Sequence, residues 1–102
     1  MTNLELVDLF FEKIEKEDFD GFYKFFTKDT VLYVIDEDKT YPIETLEKGL
    51  RKNLPKFEKL RRFESSAAIK QECKWGEKQI DFIFDIRQRR IYRLELTTSV
   101  LF

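Results

Sequence analysis

Apolar residues recur along this chain with two different periods, and each change of period marks an element boundary. Leu4, Val7, Phe11 and Ile14 repeat at helical spacing, with Phe10 widening the stripe, and Thr2 and Glu5 stand at capping-box separation before it. This predicts an amphipathic first helix with Glu5, Asp8, Glu12 and Lys16 on a solvated outer face. Asp18 is placed to cap a second, shorter helix carrying Phe19, Phe22, Tyr23 and Phe26 on one side, weakened by Gly21 and ending near Thr27 to Thr30. Val31 to Ile35 (VLYVI) is β-branched, aromatic and apolar on both faces, the signature of a buried strand. Asp36 to Lys39 turn the chain, and Thr40 and Tyr41 return as a short arm. Pro42 suits the first turn of a third helix marked by Leu46, Leu50 and Leu54, which Pro55 ends or kinks. Phe57, Leu60 and Phe63 fit either a bent continuation of that helix or a strand.

From Ala67 onward the period is two. Ala67, Ile69, Gln71, Cys73 and Trp75 form one face of a strand. Ile80, Phe82, Phe84 and Ile86, then Tyr92, Leu94, Leu96, Thr98, Val100 and Phe102, form the inner faces of a closing hairpin. Parity constrains the registers, since a slip of one residue turns every side chain to the other face. The first connection must be even. A four-residue loop, Gly76 to Gln79, opposes Lys74 to Asp81 and Lys70 to Asp85, whereas a two-residue loop opposes Glu72 to Asp81, which repel. The longer loop is therefore expected. The second connection must be odd, and a three-residue loop at Gln88 to Arg90 aligns Ile86 with Tyr92, Phe84 with Leu94, Phe82 with Leu96 and, on the outer face, Asp85 with Arg93. The expected order is helix, helix, short hairpin, helix and three antiparallel strands. This is an α+β fold in which three helices cover one face of a curved antiparallel sheet.

Composition narrows the functional classes. The 102 residues suffice for one packed domain, and eleven Phe supply much of the apolar mass. Nineteen basic and twenty acidic residues leave a net charge of -1, so no global field directs the chain to nucleic acid or an anionic membrane. The N-terminal stretch has acids where a secretory signal needs bases, and there is no apolar run of about eighteen residues, so a cytoplasmic, non-membrane protein is expected. A single cysteine allows no internal disulfide. The absence of histidine removes imidazole acid-base chemistry, Ser-His-Asp and Cys-His nucleophiles and His-ligated zinc.

The order of elements, with FFEKIEKEDFDGFYKFFTKDTVLYV, resembles the nuclear-transport-factor-2-like superfamily, including its SnoaL-like polyketide cyclases and ketosteroid isomerases. The carriers are the first apolar helix and the Asp18-Phe19-Asp20 step, Phe25-Phe26 with Lys28-Asp29 before the strand, and the Tyr41 arm that opens the third helix. The hairpin from Phe84-Asp85 to Arg90-Ile91 adds to them. The resemblance implies one cone-shaped domain over residues 1–102, a pocket between the third helix and the inner sheet face, and dimerisation through the sheet. Superfamily members include enzymes, ligand binders and interaction modules, so the fold leaves function open.

Three functions then compete. In the first, the cone binds a small apolar ligand without catalysis, with Tyr33, Gln71, Cys73, Trp75, Tyr92 and Thr98 lining the pocket and no cofactor required. The plain alternative is that these residues only complete the core and its rim. In the second, the protein is an interaction module. It would use the outer sheet face, where Ile83, Ile91 and Leu101 lie among Lys70, Asp81, Arg93, Glu95 and Thr97, or the basic tip of Arg87, Arg89 and Arg90 beside Tyr92. In the third, the resemblance to the isomerases makes Asp36 a general base, with Tyr33, Tyr41 or Tyr92 donating to an enolate oxygen. Phe10 and Phe11 occupy the region of the isomerases' first-helix tyrosine, and Asp36 also reads simply as a turn residue. The run of acids from Asp36 to Asp38 lacks the spacing of a calcium loop, so no metal site is expected.

Overall fold

A computed structural model describes residues 1–53 and 57–98. Helices α1 (Asn3–Glu15), α2 (Phe19–Tyr23) and α3 (Ile43–Asn53) are combined with strands β1 (Phe26–Val34), β2 (Lys39–Tyr41), β3 (Phe57–Glu64), β4 (Ile69–Trp75), β5 (Lys78–Arg87) and β6 (Arg90–Leu96). The strands form one sheet in the order β2-β1-β6-β5-β4-β3. Neighbours are antiparallel except β1 and β6, which run parallel. The α+β class with helices over one sheet face is as expected, while the sheet itself is mixed. Alternation reveals which face of a strand is buried but not which strand lies beside it.

The helices begin where local chemistry places them. Thr2 Oγ1 accepts from Glu5 N at 3.1 Å and the Glu5 carboxylate accepts from Thr2 N at 3.2 Å, completing the capping box. Asp18 caps α2 by accepting from Gly21 N at 3.0 Å. Gly21 is more than a weak point: a Cβ there would lie 2.6 Å from Asp18 Oδ2, so the bare backbone makes room for its own cap.

Leu6, Val7, Phe10, Phe11 and Ile14 of α1, Phe19 and Phe22 of α2, and Leu46 and Leu50 of α3 pack on the inner sheet face against Leu32, Ile69, Cys73, Trp75, Ile80, Phe82, Phe84, Ile91, Leu94 and Leu96. Leu54, Val100, Leu101 and Phe102, assigned to the core or outer face by periodicity, lie outside the described residues.

Three irregularities bend the sheet, as bulges do. Between Phe26 and Val31 the β1–β6 register shifts, and the looped-out segment is pinned by Thr30 Oγ1 donating to Ile91 O at 2.7 Å. Between Lys59 and Arg62 the β3–β4 register shifts. Between Asp85 and Ile86 the β5–β6 register shifts, which corrects part of the expected closing hairpin. Phe82↔Leu96, Phe84↔Leu94 and Asp85↔Arg93 pair as anticipated, but Ile86 pairs with Ile91 and the loop is the two residues Gln88–Arg89. Tyr92 is the extra residue. It turns outward, 47 % exposed, and Ile91, expected on the outer face, is fully buried in its place.

The β4–β5 connection is the second correction. Trp75 pairs with Lys78, leaving a two-residue loop at Gly76–Glu77 in which Gly76 takes φ 60°, and Glu72 stands opposite Asp81 after all. β3, whose existence periodicity left open, removes the objection. Its Arg61 bonds Glu72 at 3.0 Å, while Lys70 reaches Asp81 at 3.5 Å, so each carboxylate has its own cation.

Candidate functional site

The interior of the cone is filled with aromatic rings. Phe10 contacts Phe11, Phe22 and Phe84 with centroids 5.1–5.2 Å apart, Phe11 reaches Phe82 at 5.4 Å, and Phe82 stacks on Trp75 at 6.1 Å. Edge-to-face pairs at these distances pack to crystal-like density and add favourable quadrupole contacts. Among the described residues, a half-open cavity of about 30 Å³ lies at the rim beside Asn3, Ser66 to Ile69, Phe84 and Ile86. That is room for a water molecule, an order of magnitude below the roughly 300 Å³ of a small-ligand site.

The expected pocket residues do not converge. Cys73 is fully buried, its thiol pushed up to about 12 chiefly by burial and then by the charge of Asp81. Trp75 is buried in the ring stack. Gln71 is also buried, and its amide is committed to the chain. Oε1 accepts from Arg62 Nε at 2.8 Å, and Nε2 donates to the carbonyls of Glu72, Arg61 and Leu60 at 3.0, 3.3 and 3.4 Å. Leu60 and Arg61 are the residues that the β3 bulge takes out of register, so Gln71 supplies donors that the ladder no longer provides. Thr98 lies beyond β6, half-buried, and Tyr92 has turned away from the cone.

Asp36 is exposed in the β1–β2 turn, and the neighbouring tyrosines are engaged there. Tyr33 donates to Asp38 at 2.5 Å and Tyr41 donates to Glu37. Both phenol pKa values are raised, first by those hydrogen bonds and then by desolvation. A general base needs reach to an enclosed substrate, and Asp36 has no such enclosure. Among the described residues no cluster of His, Cys, Asp or Glu is arranged to hold a metal ion, and no helix is long and apolar enough to cross a membrane.

The other face of the sheet is more ordered chemically. Val31, Tyr33, Ile83 and Tyr92 lie among charged side chains that pair with each other. Arg93 bonds Glu95 at 2.7 Å and its guanidinium covers the Tyr33 ring at 4.7 Å. Asp85, opposite Arg93 in the ladder and expected to pair with it, instead holds Arg87 at 3.3 Å, and Arg87 covers Tyr92 at 4.7 Å. On β3, Phe63 is flanked by Arg61 and Lys70. Glu72 and Asp81 are only 8 % exposed on this face because long cationic side chains lie over them. No spacing rule exposes this network, since Arg61, the cation that covers Glu72, comes from a strand whose position depends on tertiary pairing.

Comparison with known structures fixes the fold class. A nuclear-transport-factor-2-like protein from Cytophaga hutchinsonii superposes with a TM-score of 0.70 at 14% identity, covering 94% of this chain and 88% of that one. A Sinorhizobium meliloti protein provisionally called a polyketide cyclase gives 0.72 at 20% identity over 91% and 94%. A cystatin-fold protein from Novosphingobium aromaticivorans gives 0.72 at 14% identity over 94% and 97%. No family model and no curated protein matches the sequence. The chain thus has the nuclear-transport-factor-2-like fold, and at these identities the likeness is one of architecture.

Proposed function

We propose that this protein is a noncatalytic interaction module of the nuclear-transport-factor-2-like fold that self-associates through the outer face of its sheet. The observation that carries this reading is the contrast between the two faces. Phe10, Phe11, Phe82 and Phe84 occupy the interior where the family resemblance implies a pocket, whereas the outer face offers Val31, Tyr33 and Ile83 between ion pairs. Such a face suits a two-fold contact. Its cations and carboxylates are largely neutralised within each copy, and the mixture of signs across β4, β5 and β6 lets the face meet itself without a like-charge block. The net charge of -1 adds little repulsion between copies.

Sedimentation equilibrium tests the proposal. A dimer is expected at micromolar concentration, and Ile83→Lys, which changes the outer face alone, is expected to give a monomer with an unchanged circular dichroism spectrum. A wild-type monomer at high concentration refutes it. A second reading, an apolar ligand held in the cone, rests on the largely apolar surroundings of Trp75 and Cys73. It requires the phenylalanine cluster to open. A rise in melting temperature with long-chain fatty acids or polycyclic ketones, absent in a variant with Leu50→Trp, would favour it over the sheet-face reading.

A further inference from the structure

The tip of the β5–β6 hairpin is basic in sequence, and the parallel pairing of β1 with β6 enlarges it with residues from a distant part of the chain. Phe26 pairs with Ile91, Ile91 N donates to Phe25 O, and Arg90 donates to the carbonyl of Lys24. Lys24 is thereby brought beside Arg90, and Lys28 follows two residues after Phe26 in the looped-out segment at the same end of β1. Lys24, Lys28, Arg89 and Arg90 are all exposed, and none forms an ion pair with a described residue, in contrast to the sheet face, where the cations are matched. Arg87, tied to Asp85, continues the patch, and Asp29 is an acid at its margin.

The turn that carries Arg89 is conformationally expensive. Gln88 and Arg89 both take left-handed backbone, φ 51° and 64°, in a two-residue loop for which Asn-Gly is the low-energy solution. A long cation is held at a position where glycine would cost less, and sites of this kind are commonly functional.

We infer that this patch docks an acidic segment of a partner protein. Four unmatched cations within one small end of the molecule attract carboxylates by complementarity, and the attraction extends roughly 10 Å at 0.1 M salt. A nucleic acid strand is a poorer match. The turn at the opposite end of β1 presents Asp36, Glu37 and Asp38 against an extended polyanion, and base stacking would have to use Tyr92, one face of which Arg87 covers. This inference does not depend on the sheet-face dimer, because Arg89 and Lys28 are distinct from Ile83 and can be altered separately.

Fluorescence anisotropy with a labelled oligoglutamate peptide and the intact chain provides the test, with an oligothymidylate of equal charge as the competing probe. Saturable peptide binding is expected at low salt. It should weaken at least about tenfold when salt is raised from roughly 0.05 to 0.5 M, and by a similar factor in Lys28→Glu/Arg89→Glu. Arg89→Lys should retain binding, and Glu77→Lys at the far end of the sheet should leave it unchanged. Circular dichroism of each variant establishes that the fold is kept. Absence of saturable binding, binding that survives the double charge reversal, or an oligothymidylate affinity exceeding that for the peptide would each overturn the inference.

Discussion

Replacing Gln71 by Leu tests whether this buried amide braces the β3 bulge. The substitution keeps the side chain's approximate volume and removes every polar atom. The lost interactions differ in strength. The bond from Arg62 at 2.8 Å is charge-assisted, the 3.0 Å bond to Glu72 O is of ordinary length, and the 3.3 and 3.4 Å bonds to Arg61 O and Leu60 O are long and weak. A charge-assisted bond contributes about 1.5–3 kcal/mol and an ordinary one about 1, and carbonyls left unpaired on the inner side of the bulge add a desolvation cost. Two effects offset this: the apolar gain of leucine, and the freedom of Arg62 to keep its 2.8 Å contact with Asp8. The net expectation is a loss of about 2–3 kcal/mol, a drop in melting temperature of roughly 10 °C or more for a domain of this size. Urea denaturation followed by tryptophan fluorescence measures it, with a lower midpoint and an unchanged m-value expected. A loss under about 0.5 kcal/mol would show that the bulge carbonyls are satisfied without the amide, and the bracing role would be wrong.

Three further outcomes follow from the same reasoning. The Cys73 thiol, raised to about 12 mainly by burial, should resist a disulfide reagent at pH 8 in the native protein and react at once in denaturant; rapid native labelling would contradict its burial. Glu47 accepts from Tyr23 at 2.6 Å and from Arg51 at 2.8 Å, and these bonds hold its carboxyl below the ordinary 4.5. Because the folded value is the lower one, its contribution is complete above pH 4.5 and fades as pH falls through the folded value, so Glu47→Gln should flatten the acid limb of a stability profile; an unchanged limb would argue against the linkage. Gln88→Asn with Arg89→Gly relaxes the left-handed turn and should raise stability by about 1 kcal/mol while weakening oligoglutamate binding, as thermal melts and anisotropy on the same variant would reveal.

What could be read from the sequence followed the range of the interaction involved. Caps at Thr2 and Asp18, the apolar stripe of α1 and the pairing of Phe84 with Leu94 rest on residues near one another in sequence or on strict alternation, and each is present. The errors have a common origin in tertiary contacts. Alternation carried through Tyr92 misses a bulge, because the energy that selects it comes from burying Ile91 near Phe25. Repulsion between Glu72 and Asp81 argued for a longer loop only while the cation from β3 was out of view. Gln71 was legible as a polar group on an apolar face. Its use within the fold was not, since the carbonyls it serves belong to a bulge on a neighbouring strand. The basic patch was half visible, its lysines arriving through the parallel contact.

That parallel contact also sets a schedule for the chain during synthesis. β1 lies between β2 and β6, so until the segment around Ile91 to Leu96 has been made, one whole edge of β1 has no partner, and the helices have only a fragment of sheet to cover. The Phe-rich N-terminal half must wait, with Phe10, Phe11 and Phe22 exposed, for residues roughly seventy to eighty positions later. A nascent chain paused before β6 is therefore the form most in need of a chaperone, and a slow codon placed there would be felt as aggregation rather than as loss of stability in the finished protein.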